Sequence, residues 1–175
     1  MKKSLLIILL ALFIIGCAKE QIKEVEQMGD LKLTSTAFEN NKRIPAKYTC
    51  DGDDISPPLK IEGVPENAKS LVLIVDDPDA PIGTWVHWVV WNIPIVSEIK
   101  ENSVPAGAVQ GLNDFKKHDY GGPCPPSGTH RYMFKLYALD ITLDINENSE
   151  KQDVENAIKG HILAQTKLIG LYSRE

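Results

Sequence analysis

A mainly β domain with a few peripheral helices, one of them near the C-terminus, is the fold class this sequence predicts. Three stretches carry that prediction. Residues 31–38 (Leu-Lys-Leu-Thr-Ser-Thr-Ala-Phe) alternate in the manner of a half-buried strand. Residues 70–75 (Ser-Leu-Val-Leu-Ile-Val) form a short continuous apolar run that stops at Asp76-Asp77-Pro78, as buried strands do. Residues 85–93, from Trp85 to Ile93, are bulky on both faces of a period-two pattern. That pattern sets Trp85, His87, Val89 and Trp91 on one face and Val86, Trp88 and Val90 on the other, which predicts a central strand.

The chain opens with Lys2 and Lys3, an unbroken apolar run from Leu5 to Ile15, then Gly16-Cys17. A basic start and a short apolar run read as an export signal, too short to span a bilayer comfortably. Ile14-Ile15-Gly16-Cys17 resembles a bacterial lipobox, in which Cys17 becomes lipid-modified and the new N-terminus. A plain membrane helix, or a signal with an incidental cysteine, is the competing reading. On the lipobox reading residues 1–16 are the signal peptide, residues 17–29 a charged tether, and residues 30–175 one domain. The protein is then expected at the cell envelope, held to a membrane by its lipid and facing the periplasm or exterior. Several acyl chains, at about 0.8 kcal/mol per buried CH₂, would anchor it stably. The chain has 19 basic and 24 acidic residues. Losing Lys2 and Lys3 takes its net charge from −5 to −7, which argues against nonspecific binding to nucleic acid.

Residues 97–120 are loop-like, rich in Gly, Pro, Asn and Lys. Gly122-Pro-Cys-Pro-Pro-Ser-Gly-Thr-His-Arg-Tyr132 then packs stiff prolines and permissive glycines against a polar trio. The strand that follows, residues 131–139, places that trio where a rigid loop enters a sheet, a common position for a binding site. The one good helix is expected from near Ser149, with Gln152 completing a capping box and Val154, Ile158 and His161/Ile162 at helical spacing. Residues 168–172 suggest a short closing strand.

Read together, Asp76-Asp77-Pro78-Asp79-Ala80-Pro81, Trp85-Val86-His87-Trp88 and the Gly122–Tyr132 segment resemble the phosphatidylethanolamine-binding protein family, in its bacterial and archaeal Raf-kinase-inhibitor-like branch. The resemblance runs over residues 31–174 and includes residues 48–58, Gly111-Leu-Asn-Asp-Phe115, Gly160-His-Ile-Leu163 and Gly170-Leu-Tyr-Ser-Arg174. It implies a β-sandwich with a small anion pocket at one end. Matched by motif, the pocket residues would be Asp77, Asp79, Pro81 and His87, with Pro126, His130 and Tyr132 from the second segment. It also places Cys50 and Cys124 in loops around the pocket, and in an exported protein a Cys50–Cys124 disulfide is the expectation against two free thiols.

The residue chemistry points the same way. His130 and Tyr132 are two apart on a strand and so share a face. Imidazole and phenol can both donate to a phosphate oxygen. Asp77 or Asp79 beside His87 would favour its protonated form and make a local cation. A rim carboxylate could accept from the ammonium of an ethanolamine head group. Arg131, on the opposite face from Tyr132, is expected to be structural and ion-paired. The competing readings are a plain Asp-Pro turn, a core His87 and ordinary strand packing for Tyr132. His161 is expected to be structural and His118 a surface residue. The three tryptophans are read as core or pocket wall.

These observations favour a non-enzymatic binder of a small anion or phospholipid head group, with no cofactor. An inhibitor of a protease or other envelope enzyme is the alternative, and a kinase-like target is a weaker fit outside the cell. Hydrolysis is disfavoured because Ser127 lacks the strand–elbow–helix setting of a nucleophilic serine. No CxxC or HExxH spacing points to zinc.

Overall fold

A computed structural model describes residues 30–174; the expected signal, lipidation site and tether lie outside the described residues. Among the described residues, nine strands form two sheets. The smaller has the order β1 (Lys32–Ser35), β3 (Leu59–Glu62), β6 (Glu98–Ile99). The larger runs β2 (Lys42–Arg43), β9 (Ile162–Tyr172), β8 (His130–Leu139), β4 (Ser70–Asp77), β5 (Trp85–Ile93), β7 (Val109–Gln110). Among the described residues there is one α-helix, α1 (Lys151–Ala157), which covers part of the outer face of the large sheet, and a single 3-10 turn at Ala46–Tyr48.

The apolar pattern explains this layering. On β4, Leu71, Leu73 and Val75 enter the core between the sheets, beside Leu33, Leu59, Ile61 and Ile99 of the small sheet. Val72 and Ile74 face the other way, into a second cluster with Val154 and Ile158. A strand buried on both faces must be apolar throughout, hence the continuous run. β4 and β8 are the inner strands; β5 lies one place from the edge, next to the two-residue β7. It reads as central because loops and α1 cover it as a neighbouring layer would.

Residues 109–121 seal the outer edge of β5 with backbone and side-chain groups. Gly111 N donates to Val89 O (2.9 Å), Asp114 N to Val86 O (3.0 Å) and Gly121 N to His87 O (3.1 Å). The Asp114 carboxylate accepts from Val86 N at 2.7 Å. The loop-like composition of that region thus conceals a fixed structural role.

Two expectations change. β5 does not keep period two throughout. Val75 pairs with Trp88 while Asp76 pairs with Val86, so His87 is an extra residue, a β-bulge. Trp85 and His87 therefore share a side with Trp88 and Val90, and Val89 and Trp91 join Val86 in the outer cluster. The late helix is also shorter than its pattern. Its capping pair is Glu150 and Asp153, the Asp153 carboxylate accepting from Glu150 N at 3.0 Å, in place of Ser149 and Gln152. The chain reverses at Gly160, whose φ is 82°. Ile162 already belongs to β9, so its helical spacing from Ile158 is coincidental; the closing strand is correspondingly longer than residues 168–172. His161 sits in the turn, with Nδ1 2.9 Å from the Asp140 carboxylate.

Candidate functional site

β4 runs antiparallel to both its neighbours, so its C-terminal end meets the N-terminal ends of β5 and β8. Asp77, Trp85, His87, His130 and Tyr132 therefore converge, and they line a cavity of about 380 Å³. The loop after β4 adds Pro81 and Ile82; Phe115, Cys124 and Pro126 complete the wall. Ile82 is 83% exposed and Phe115 38%, so the mouth presents apolar surface to solvent. The bulge turns His87 into this cavity.

The polar floor is closely specified. Asp77 is buried and uses both oxygens: Oδ1 accepts from Asp79 N at 2.8 Å, and Oδ2 from the His130 Nδ1–H at 2.7 Å. His87, also buried, donates from Nδ1 to the Gly121 carbonyl at 2.6 Å. A carbonyl can only accept, so this contact fixes the hydrogen on Nδ1. The His87 ring stands edge-on to Tyr132 and Phe115, at 5.1 and 5.4 Å between centroids. The Tyr132 hydroxyl is buried without a hydrogen bond of ordinary geometry, the Cys124 backbone being its neighbour. Such an unmade bond costs on the order of 1–3 kcal/mol, and a ligand oxygen would repair it.

Burial sets the protonation. Desolvation holds the His87 pKa below its ordinary 6.5, outweighing the Gly121 carbonyl and the nearby Asp77 and Asp76. The expected His87 cation is therefore corrected: Asp77 partners His130, and His87 is neutral near pH 7. Burial, then the Asp77 charge, pushes the Tyr132 phenol well up. It is a donor at physiological pH.

Of the residues singled out in the sequence, the structure brings together Asp77, Pro81, His87, Pro126, His130 and Tyr132. Asp79 is not part of the lining. It accepts from Arg131 three times, from N (2.9 Å), Nε (2.9 Å) and Nη2 (2.7 Å), and those bonds hold its carboxyl below the usual range. Arg131 is ion-paired as expected, and its partner is a residue assigned to the ligand. Asp79 instead fixes the start of β8 against the loop after β4. Trp85 is pocket wall, while Trp88 and Trp91 are core. His118 is exposed. Sequence reasoning missed Ile82, Phe115 and the Gly121 carbonyl. An isoleucine in a Pro/Gly turn was the available signal for the first.

Cys50 and Cys124 form a disulfide with Cα atoms 5.4 Å apart. It ties residues 46–53 to the segment that carries Pro126 and His130. Gly122 must be glycine for this approach, because a Cβ there would lie 2.7 Å from Tyr48 O and 2.4 Å from the Asp54 carboxylate. Among the described residues no group of three or more His, Cys, Asp or Glu is arranged to hold a metal ion.

Residues 34–173 match the sequence profile of the phosphatidylethanolamine-binding protein family. A UPF0098 protein of Pyrococcus horikoshii is 49% identical over 185 residues, covering 99% of this chain and 91% of that one. Another, of Methanothermobacter thermautotrophicus, is 54% identical over 150 residues, covering 82% of this chain and 99% of its own. The crystal structure of a putative phosphatidylethanolamine-binding protein homologue from Chlamydia trachomatis superposes with a TM-score of 0.81 at 45% identity, covering 85% of this chain and 100% of that one. E. coli YbcL, a member of the mammalian PEBP family, gives 0.78 at 33% identity, covering 83% and 99%.

Proposed function

The chain belongs to the phosphatidylethanolamine-binding protein family, and from that premise we propose that it is a non-enzymatic binding protein for a small phosphate-bearing anion. The observation that carries this reading is the unpartnered Tyr132 hydroxyl beside the Asp77–His130 pair in one cavity. Phenol and imidazolium can both donate to a phosphate oxygen, and Asp77 orients the imidazole for that task. The lining offers no serine, threonine or free thiol beside the pair, which favours binding over turnover. The family premise makes a phospholipid head group one natural source of the anion. Lipidation at Cys17 would hold the cavity at the envelope, facing the periplasm or exterior.

Titration of the purified chain with inorganic phosphate, phosphoethanolamine and a neutral alcohol, followed by imidazole NMR signals, tests the reading. Saturable shifts at His87 and His130 with the phosphorylated compounds alone support it. Equal response to the alcohol, or loss of no affinity in His130→Ala, overturns it.

The exposed Ile82 favours a second reading, in which the mouth inhibits an envelope enzyme such as a protease through protein contacts. Under it, Ile82→Ser would abolish inhibition while lowering phosphate affinity far less than His130→Ala does.

A further inference from the structure

The floor of the cavity specifies more than an anion, and this inference rests on the anion reading above. Asp77 is the single carboxylate among the lining residues, and no lysine or arginine lines the cavity. Arg131 lies outside it, engaged by Asp79. The site therefore has no fixed positive charge. The His130 Nδ1–H is committed to Asp77 at 2.7 Å, so its Nε2 can donate only when that nitrogen also carries a proton.

His87 behaves differently. Its Nδ1–H is committed to the Gly121 carbonyl, and among the described residues no hydrogen bond engages its Nε2. As a neutral ring it presents a lone pair there, an acceptor that needs a donor from the ligand. The groups facing it are Asp77 from β4, His130 and Tyr132 from β8, and Phe115 and the Gly121 carbonyl from the sealing loop; Asp76 acts on it through space from the opposite face, where Lys135 and Lys151 hold it. The carboxylates favour a cation, and burial outweighs them. The floor thus offers the Tyr132 hydroxyl as a donor, His130 Nε2 as a second donor when it is protonated, and His87 Nε2 as an acceptor.

We propose that the cavity selects a terminal phosphate group that still carries a proton, the monoanion of a phosphomonoester or of phosphate itself, over phosphodiesters. The P–OH donates to His87 Nε2, a second oxygen accepts from Tyr132, and a third accepts from His130 when that ring is protonated. A diester has no hydrogen to give and would set an anionic oxygen against the His87 lone pair. A free dianion must take up a proton to bind, so affinity falls as pH rises past the second ionisation of the ligand, near pH ~6.

Calorimetric titration of the full chain at about pH 7.5, in two buffers of different ionisation heat, tests this. The probes are inorganic phosphate, methyl phosphate and dimethyl phosphate, with phosphoethanolamine and glycerophosphoethanolamine to separate a free phosphate terminus from a lipid-type diester. The expected result is uptake of about one proton or more per methyl phosphate, with dimethyl phosphate and glycerophosphoethanolamine at least about tenfold weaker. Equal binding of methyl and dimethyl phosphate overturns the inference and leaves the anion pocket standing. Glycerophosphoethanolamine binding as tightly as phosphoethanolamine also overturns it, because an ammonium would then serve His87. No binding by any probe overturns the anion reading as well. His87→Gln, whose amide can donate, narrows the monoester–diester gap to under about threefold. Should that variant fail to fold, the excess of proton uptake with methyl phosphate over that with dimethyl phosphate in the unaltered protein decides.

Discussion

His87 and Tyr132 show how single side chains trade stability for a site. His87 has its folded-state pKa depressed by burial, so the unfolded chain binds a proton more readily than the folded one. The stability this contributes is complete above the unfolded value near 6.5 and is lost as pH falls through the folded value. Thermal melts from neutral to acid pH should show that loss, and His87→Phe should flatten it over the same range. An imidazole midpoint at or above 6.5 in the free protein would contradict this account. Tyr132→Phe removes a buried hydroxyl that has no partner. Chemical denaturation should find the variant as stable as the parent or up to about 1 kcal/mol more so, while phosphate affinity falls by about fivefold to tenfold. The shared face of His130 and Tyr132 was legible from their spacing alone. The diversion of Asp79 to Arg131 was not, because it depends on how the loop after β4 folds back over the start of β8.

Local periodicity succeeds or fails strand by strand. It identified β4, β5 and β8, whose patterns reflect burial on one or both faces. It misassigned faces within β5, because a bulge shifts side-chain parity and leaves no mark in composition. It extended α1 too far, because Val154, Ile158 and Ile162 keep a spacing of four across a turn that breaks the helix. The clearer signal was Gly160, at φ 82°. Gly160→Ala meets no steric neighbour but must hold that φ, so denaturant titration should show a cost of about 1 kcal/mol. A neutral result would mean the turn relaxes to another conformation.

Across the whole molecule, the motifs along the chain were enough to reveal a family resemblance, and that resemblance implied a sandwich with its pocket at one end. What the motifs could not disclose is how the pocket is braced. The disulfide closes a separation of 74 residues and joins one wall to the body of the fold. In the chain-entropy model its loss costs about 4 kcal/mol. Cys50→Ser/Cys124→Ser should therefore unfold at markedly lower denaturant and bind phosphate more weakly than the oxidised protein. Retention of full affinity would show that the prolines alone hold Pro126 and His130 in place. On the outer face, Lys135 and Lys151 both reach the fully buried Asp76, joining β4, β8 and α1 beneath the pocket floor. Lys135→Met leaves Asp76 with one of its two ammonium partners, and denaturant titration should show a loss of roughly 1–3 kcal/mol.

The sealed margin of β5 also dictates how another polypeptide can approach. Many peptide-binding domains recruit a guest by letting it extend a sheet, with main-chain groups supplying the affinity. Here the outward N–H of Val86 and the carbonyls of Val86, His87 and Val89 are already spent on residues 111–121. A guest strand finds no ladder to join beside the pocket. Any macromolecule presenting a phosphate must arrive end-on, through the gap between Ile82 and Phe115. Recognition would then read one projecting group and its immediate neighbours, and remain indifferent to the sequence of a long extended segment.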